Sequence, residues 1–336
     1  MKRSTRAVLG VLVVALLASA AWFATLPPPG APAADEVVEI VVPAGAGALS
    51  IGRQLREEGL VRFPRLFALA ARARGVEASL KAGRYQFSGG AGWEEILDAM
   101  AKGEVVTYPL TVPEGFTVRE LAPRVAKATG TTADSVRRLA MDSAFVAESG
   151  VPGPTLEGYL FPETYRFAEG LDPATVLLEM TGRYQAYWTP ERRARLDSLD
   201  LDERGLVTLA SIVEEEARIG EERPVIAGVY TNRLEIGMLL QADPTVQYAL
   251  GEPRGRLLYA DIDRVADDPY NTYTHAGLPP GPISSPGAAA LDAALYPADV
   301  PYLFFVAEPD GSHAFTRTAR EHINAKNRIR AATDGQ

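Results

Sequence analysis

The spacing of hydrophobic positions in residues 37–104 changes repeatedly, and each change predicts a new element. Residues 37–42 are a short apolar run rich in Val, which is typical of a strand. Two stretches with apolar residues at helical spacing follow, and the strand and helical patterns then each return once. The elements predicted in this order are a strand at 37–42, helices that begin at Ala48 and Pro64, a strand at 82–87 and a helix at 93–102.

Residues 105–332 carry a more varied pattern, which predicts a larger mixed α/β domain. It opens with a strand at 105–112, and Thr117 is the N-cap residue expected for the next helix. The last two apolar runs flank a Pro-Asp-Gly turn sequence at 309–311, which predicts a C-terminal β-hairpin. The other predicted helices begin at Thr132 or Asp134 and cover 172–197, 206–217 and 223–236. The predicted fold class is therefore α+β.

The N-terminus has the pattern of a membrane anchor. Residues 1–6 include three basic residues, and residues 7–26 form an uncharged apolar run. About 20 apolar residues suffice to cross a bilayer, and basic residues before the span keep that end in the cytoplasm. We therefore predict a cytoplasmic N-terminus at 1–6, a transmembrane helix at 7–26 and a Pro- and Ala-rich tether at 27–36.

A cleaved signal peptide is the alternative for the same segment. Ala18, Ser19 and Ala20 offer a small-residue cleavage pattern. The length of the apolar run favours the anchor. Under either interpretation the rest of the chain acts in the cell envelope, and the anchor predicts a single-pass protein of the plasma (inner) membrane with its body on the extracytoplasmic side.

Composition excludes several function classes. The net charge is -9 and no basic block is present, which argues against nucleic acid as a partner. The absence of Cys excludes disulfides, thiolate metal sites and catalytic thiols. The three His residues form no HExxH pattern, so a zinc hydrolase is not expected. The sequence suggests no metal and no organic cofactor.

Three consecutive acids, Glu214, Glu215 and Glu216, end the apolar helix predicted at 206–217. At about 100° per residue, Glu215 falls opposite the apolar positions, while Glu214 and Glu216 fall on their two flanks. A carboxyl group that is half-buried among aliphatic residues is harder to ionise, which makes it a candidate proton donor near neutral pH. A solvated acidic face is the alternative explanation of this segment.

Two later stretches have the composition of a sugar-binding surface. Amide, hydroxyl, carboxyl and aromatic groups recur among Pro and Gly, and sugars bind to such groups through hydrogen bonds and ring stacking. We interpret both stretches, at 241–248 and 270–286, as loops, and likewise the aromatic and acidic stretch at 153–166. The alternative for the two later stretches is that their side chains fill gaps in the core. The candidate ligand-binding residues are Glu163, Gln241, Asp243, Thr245, Asn271, Thr272 and Tyr273.

Several ordered motifs resemble those of one enzyme family, the endolytic murein transglycosylases of the MltG (YceG-like) family. The likeness extends over nearly everything after the predicted anchor, and it is carried by several motifs in order rather than by one. The β-α-α-β-α order of residues 37–104 also resembles a LysM module, for which a spacer fold without ligand is the alternative. The family motifs are matched at residues 157–165, 210–216, 232–234, 237–245, 270–273, 277–283 and 301–306.

The resemblance implies cleavage of nascent peptidoglycan strands at the MurNAc–GlcNAc β-1,4 bond, which leaves 1,6-anhydroMurNAc ends and terminates strand elongation. One Glu would protonate the glycosidic oxygen and then take the proton of the 6-hydroxyl group. Likeness to other lytic transglycosylases favours Glu216 over Glu214, although Ala217 supplies no hydroxyl group after it. Glu163 is the candidate second acid. The expected partners are peptidoglycan strands and membrane-bound peptidoglycan synthases.

Two other functions remain open from the sequence. A conventional glycoside hydrolase would use Glu216 together with Glu163 or Asp243, because hydrolysis needs a second carboxylate at a defined separation. A non-catalytic peptidoglycan-binding scaffold would need none of these acids for chemistry.

Overall fold

The computed structural model describes residue 15, residues 28–251 and residues 257–334. The described chain divides into two compact units, one of residues 28–108 and 166–170 and the other of the described residues in 109–165 and 171–334. None of the helices in the described ranges combines the length and the apolar character that a bilayer crossing needs. Apart from residue 15, the anchor predicted at residues 7–26 lies outside the described residues.

The smaller unit contains the predicted β-α-α-β-α order. Its two strands are antiparallel, with Val38 opposite Phe87 and Ile40 opposite Tyr85. Alternate residues of the first strand are buried, as expected for a strand with one face on a core. Its elements are β1 (Val37–Val42), α1 (Ala48–Glu57), α2 (Pro64–Ala73), a 3₁₀ turn (Glu77–Ser79), β2 (Gly83–Ser88) and α3 (Trp93–Lys102).

Aromatic residues fill the core of the smaller unit. Phe67 of α2 meets Trp93 of α3 edge to face, with ring centroids 6.0 Å apart. Tyr85 and Phe87 stack in parallel at 5.8 Å. Phe67 and Tyr85 are fully buried; the first pair joins α2 to α3, and the second packs along β2.

The larger unit is mostly helical, and three two-stranded sheets are present in the described chain. Strand β3 pairs with β4, and β5 with β6 is the predicted C-terminal hairpin. The fold is therefore mixed α and β with small sheets. The strands are β3 (Thr107–Thr111), β4 (Thr164–Ala168), β5 (Phe304–Ala307) and β6 (His313–Thr316). The helices are α4 (Val118–Thr129), α5 (Ala133–Met141), α6 (Ser143–Ser149), α7 (Pro173–Tyr187), α8 (Pro190–Leu196), α9 (Glu203–Glu216), α10 (Arg223–Glu235), α11 (Asp243–Leu250), α12 (Tyr259–Arg264), α13 (Ala288–Leu295) and α14 (Ala319–Asp334).

Local sequence signals explain which predicted helices and loops match the structure and which do not. Thr117 caps α4 through a capping box with Glu120, as its position predicts. The interpretation of residues 241–248 as a loop is wrong from Asp243 onward, because Asp243 and Pro244 start α11 rather than a turn. Pro is favoured in the first turn of a helix, where its missing N–H costs nothing. Strand β4 likewise lies partly within a stretch that had been interpreted as loop.

Helix α9 is the central element of the larger unit. All residues from Leu206 to Val213 are buried, including Thr208 and Ser211. The helix packs against α10, α11 and α13. Periodicity predicts a helix with one apolar face, and this prediction is wrong: the helix is covered on every side from Leu206 to Val213. Its three acids lie together at its C-terminal end.

An irregular segment at 281–287 covers α9, and all of its residues are buried. Ile283 N–H donates to Ser211 Oγ at 3.0 Å. Ser285 exchanges two backbone hydrogen bonds with Gly115 and Phe116, each 2.9 Å long. These bonds satisfy backbone groups that burial would otherwise leave unpaired, so the segment behaves as part of the core.

The packing of the smaller unit predicts a large effect of Phe67→Ala. The loss of a fully buried aromatic ring against Trp93 is expected to lower the free energy of unfolding by about 3–5 kcal/mol. Phe63→Ala, at a position that is 37% exposed, is the matched control and is expected to cost far less. Chemical denaturation monitored by Trp fluorescence measures both, and equal costs would contradict this description of the core.

Candidate active site

Glu216, the last residue of α9, accepts a hydrogen bond from Tyr230. The Tyr230 hydroxyl donates to Glu216 Oε1 at 2.8 Å. Burial raises the pKa of Glu216 to about 7, the nearby Asp243 adds to the rise, and Tyr230 and Arg233 oppose it. The group is therefore present in both protonation states near neutral pH, which proton transfer requires.

Two side chains of α10 fix the surroundings of Glu216. Tyr230 is buried, and its ring packs edge to face against Phe305 of β5 at 5.7 Å. Arg233 donates from Nε to the Leu303 carbonyl at 2.7 Å and from Nη1 to the Leu240 carbonyl. The guanidinium group is thus held by backbone oxygens rather than by Glu216 itself. Its charge still acts on the Glu216 carboxyl group.

Asp243 and Tyr273 form a second hydrogen-bonded pair near the Glu216 carboxyl group. The Tyr273 hydroxyl donates to Asp243 Oδ1 at the start of α11. Gln241, two residues earlier, has a left-handed backbone with φ of 48°, unlike any other non-Gly residue in the described ranges. Such backbone costs about 1 kcal/mol or more and is held only where the surroundings impose it. Here the Gln241 N–H donates to the Thr272 carbonyl, and its side chain is exposed.

Three of the predicted sugar-binding residues, Thr245, Asn271 and Thr272, are buried and hydrogen-bonded within the protein. Thr245 Oγ1 donates to the Ala242 carbonyl at 2.7 Å and lies 2.9 Å from Thr272 Oγ1. Asn271 Nδ2 donates to two backbone carbonyls, and Asn271 Oδ1 accepts from the Tyr273 N–H. Their polar groups hold the backbone around Asp243 and Tyr273 and face away from solvent.

Glu214 makes the contacts of a structural carboxylate. Its side chain is 6% exposed; Oε1 accepts from Arg223 Nη2 and Oε2 from the Gly287 N–H, both at 2.9 Å. Both oxygens are thus engaged with a cation and with the backbone N–H at the start of α13. A carboxylate that is bound in this way is poorly placed to carry a transferable proton.

Glu215 is exposed, as its position on the helix predicts, but it is not an ordinary surface residue. Its carboxyl group lines a cavity. Burial of that group against the cavity wall raises its pKa to about 7, while a hydrogen bond from the Ser284 hydroxyl opposes the rise. Gly115 leaves room for it: a Cβ at this residue, which has φ of 76°, would lie 2.7 Å from Glu215 Oε1.

Glu163 is not joined to the Glu216 group. Its carboxylate pairs with Arg183 of α7 at 3.3 Å, and its side chain is 43% exposed. Within the described residues, no hydrogen bond or ion pair connects it to Glu216, Asp243 or Tyr273. In the same part of the chain, no group of three or more His, Asp or Glu side chains is arranged to hold a metal ion.

Sequence reasoning missed Tyr230, Arg233 and Glu157 as candidate site residues. Tyr230 lies 14 residues after Glu216, in the next helix, α10. No local pattern in the sequence indicates that its hydroxyl contacts the Glu216 carboxyl group. Arg233 lay inside a family motif but had been given no role. Glu157 also lay in a motif, and burial raises its pKa to about 8, a property that only the surrounding packing reveals.

Comparison with known proteins identifies relatives of this chain. The model of the YceG-like family matches residues 40–328. The chain is 32% identical to an endolytic murein transglycosylase of Bacillus subtilis over 86% of this chain and 84% of that protein. It is 30% identical to an endolytic murein transglycosylase of Streptococcus pneumoniae over 86% of this chain and 59% of that protein.

The fold is also found in a solved structure. A crystal structure of a YceG-like protein from Listeria monocytogenes superposes with a TM-score of 0.60 and 32% identity. The match covers 87% of this chain and 99% of that chain. Sequence and fold together show that this chain belongs to the YceG-like family.

Proposed function

We propose that this protein is an endolytic peptidoglycan transglycosylase in which Glu216 carries the proton. The half-buried Glu216, held by Tyr230 and ionising near pH 7, is the observation that carries the proposal. Its relatives named endolytic murein transglycosylases support the same reaction. The substrate is the β-1,4-linked glycan strand, cut within the chain at the MurNAc–GlcNAc bond.

The first step is general acid catalysis. The Tyr230 hydroxyl occupies Oε1, so Oε2 of Glu216 is the oxygen that presents the proton. Transfer of this proton to the glycosidic oxygen breaks its bond to C1, and positive charge develops on the sugar ring. Asp243 places a negative charge nearby, which stabilises that charge as it forms.

The second step returns the proton to Glu216. The carboxylate left by the first step accepts the proton of the 6-hydroxyl group of the same MurNAc residue. The O6 atom bonds to C1 and closes the 1,6-anhydro ring. No water is consumed, so the sum of the product masses equals the mass of the strand.

Hydrolysis is the competing reaction on the same scaffold, and it needs a second carboxylate to activate water. Glu163 pairs with Arg183, and Asp243 accepts a hydrogen bond from Tyr273. The pairing of Glu163 with Arg183, away from Glu216 and Asp243, gives no support to Glu163 as that base and favours the lytic reaction. Asp243 keeps Oδ2 outside its bond with Tyr273, so the hydrolytic alternative rests on Asp243.

The proposal extends to location and partners. Residues 7–26 would anchor the protein in the plasma membrane, with the tether at 27–36 and the remaining chain on the extracytoplasmic side. An enzyme held there meets strands as membrane-bound synthases extrude them, so these synthases are the proposed protein partners. The β-α-α-β-α module at residues 37–104 would act as a LysM-like contact to the glycan.

Glu216→Gln is expected to fold normally and to lower strand cleavage by about a thousandfold or more, because the amide can neither give nor take the proton. Release of anhydro ends from purified sacculi, followed by mass spectrometry, measures the effect. Glu214→Gln is the matched control: it breaks the pair with Arg223 and is expected to cost about 2–3 kcal/mol of stability while the folded fraction still cleaves. Full activity of Glu216→Gln would move the role to another residue.

The pH dependence reports the pKa of Glu216. Because the protonated form starts the reaction, kcat/KM is expected to fall roughly tenfold per pH unit above about 7. Tyr230→Phe removes a donor that stabilises the carboxylate, so the pKa of Glu216 and the falling limb should move up by roughly one unit. Glu215→Gln should leave the limb in place; a limb that disappears in this variant would assign it to Glu215 instead.

The mass of the new ends separates the lytic from the hydrolytic reaction. The lytic enzyme leaves anhydro ends that lack one water relative to reducing ends. The expected spectrum contains anhydro ends alone, and cleavage in ¹⁸O-water should incorporate no label. Label at the new ends would establish hydrolysis and refute the proposed reaction.

A further inference from the structure

Two adjoining cavities lie in the larger unit, between α4, α5 and α11. The first has a volume of about 260 Å³ and the second about 220 Å³. They share four wall residues, Val118, Met141, Glu157 and Tyr248, so they form one groove with two compartments. The reaction described above uses none of these four residues.

Two wall residues of the first compartment adjoin the proposed reacting groups in sequence. Glu215 lines it and directly precedes Glu216 at the end of α9. Pro244 also lines it and directly follows Asp243 at the start of α11. The first compartment therefore lies at the ends of the two helices that carry Glu216 and Asp243, and Tyr248, further along α11, lines both compartments.

Aromatic rings line the groove where the compartments meet. The rings of Tyr248 and Tyr270 lie 4.8 Å apart at an angle of 44°, and Tyr270 lines the second compartment. Apolar ring faces flanked by hydrogen-bonding groups suit the two faces of a pyranose.

Glu157 gives the groove a polar group at its midpoint. Its Oε1 accepts from the Val118 N–H at 2.9 Å, and its Oε2 lies 3.4 Å from the Tyr248 hydroxyl. Burial raises the pKa of Glu157 to about 8, so it is mostly neutral at pH 7 and can both donate and accept hydrogen bonds. The wall of the first compartment also carries Arg119, Glu120, Arg137 and Glu215, whereas no cation is among the described residues that line the second. The second compartment therefore favours an uncharged, hydroxyl-rich ligand over an anion.

We propose that the two compartments are consecutive subsites for acetylated amino-sugar residues of the glycan strand, on one side of the bond that Glu216 cleaves. The assignment rests on the proposed function for its ligand class, and it names the segment of strand that the enzyme grips. Cleavage within a strand needs sugars bound beyond the reacting pair. Binding energy from such remote sugars is what fixes the reacting bond against Glu216.

The test uses chitohexaose, a peptide-free oligomer of N-acetylglucosamine, and the full chain carrying Glu216→Gln so that no turnover interferes. Calorimetry is expected to show binding, and adding Tyr270→Leu should weaken it about fivefold, because the variant keeps apolar volume but removes the stacking face. Tyr259→Leu is the matched control, at a residue of the same unit that is 85% exposed, and it should not change the affinity. Tyr248→Phe, which removes one hydroxyl and keeps the ring, should weaken binding about threefold and replaces Tyr270→Leu if that variant fails to fold.

Three results would overturn the subsites. The first is no binding of chitohexaose, and the second is equal affinity for it in Tyr270→Leu, Tyr248→Phe and Tyr259→Leu. The third is that Tyr270→Leu and Tyr248→Phe weaken the binding of a free stem peptide and leave the binding of chitohexaose unchanged. The cleavage assay on the chain with native Glu216 is separate. A protein that binds chitohexaose through these residues but forms no anhydro ends would refute the proposed function and leave the subsites standing. A protein that forms anhydro ends but gives equal affinities in the three variants would refute the subsites alone.

Discussion

The burial of α9 is the constraint on which the site depends. A helix that is covered on every side from Leu206 to Val213 cannot move its end without disturbing the core. That end carries three carboxyl groups where the helix dipole already places partial negative charge, which disfavours their ionisation. The three carboxyl groups have different surroundings. Glu214 binds a cation and a backbone N–H, Glu215 lines a cavity, and Glu216 shares a hydrogen bond with Tyr230.

Several amide and hydroxyl groups of the family motifs hold the backbone in place. Asn232 donates to the carbonyls of Val300 and Tyr302, which holds the approach to β5 against α10. Asn271 holds the end of α12 in the same way, and Thr272 holds the start of α11. A segment without regular structure can be buried only if such side chains satisfy its backbone. The site is therefore precise because the polar groups around it are already used.

Local patterns predicted much of the fold, and they could not predict the chemistry of individual side chains. Strand β1, helix α3 and the hairpin follow from periodicity and turn residues within a few positions of one another. The choice between Glu214 and Glu216 could not, because a helix that is buried all round has no exposed face against which to rank them. It depends on Arg223 and Tyr230, which only the tertiary fold brings to the two carboxyl groups. Composition likewise could not tell buried Asn271 from exposed Gln241.

The charges around Glu216 suit a group that acts twice. In the lytic reaction the same carboxyl group gives a proton in one step and takes one in the next. A low pKa would leave too little acid for the first step, and a high pKa would make removal of its proton harder in that step. Burial, Asp243 and Glu215 raise the pKa of Glu216, while Tyr230 and Arg233 lower it, and the balance lies at about 7. These opposed influences, each fixed by the fold, thus keep one residue usable as both acid and base.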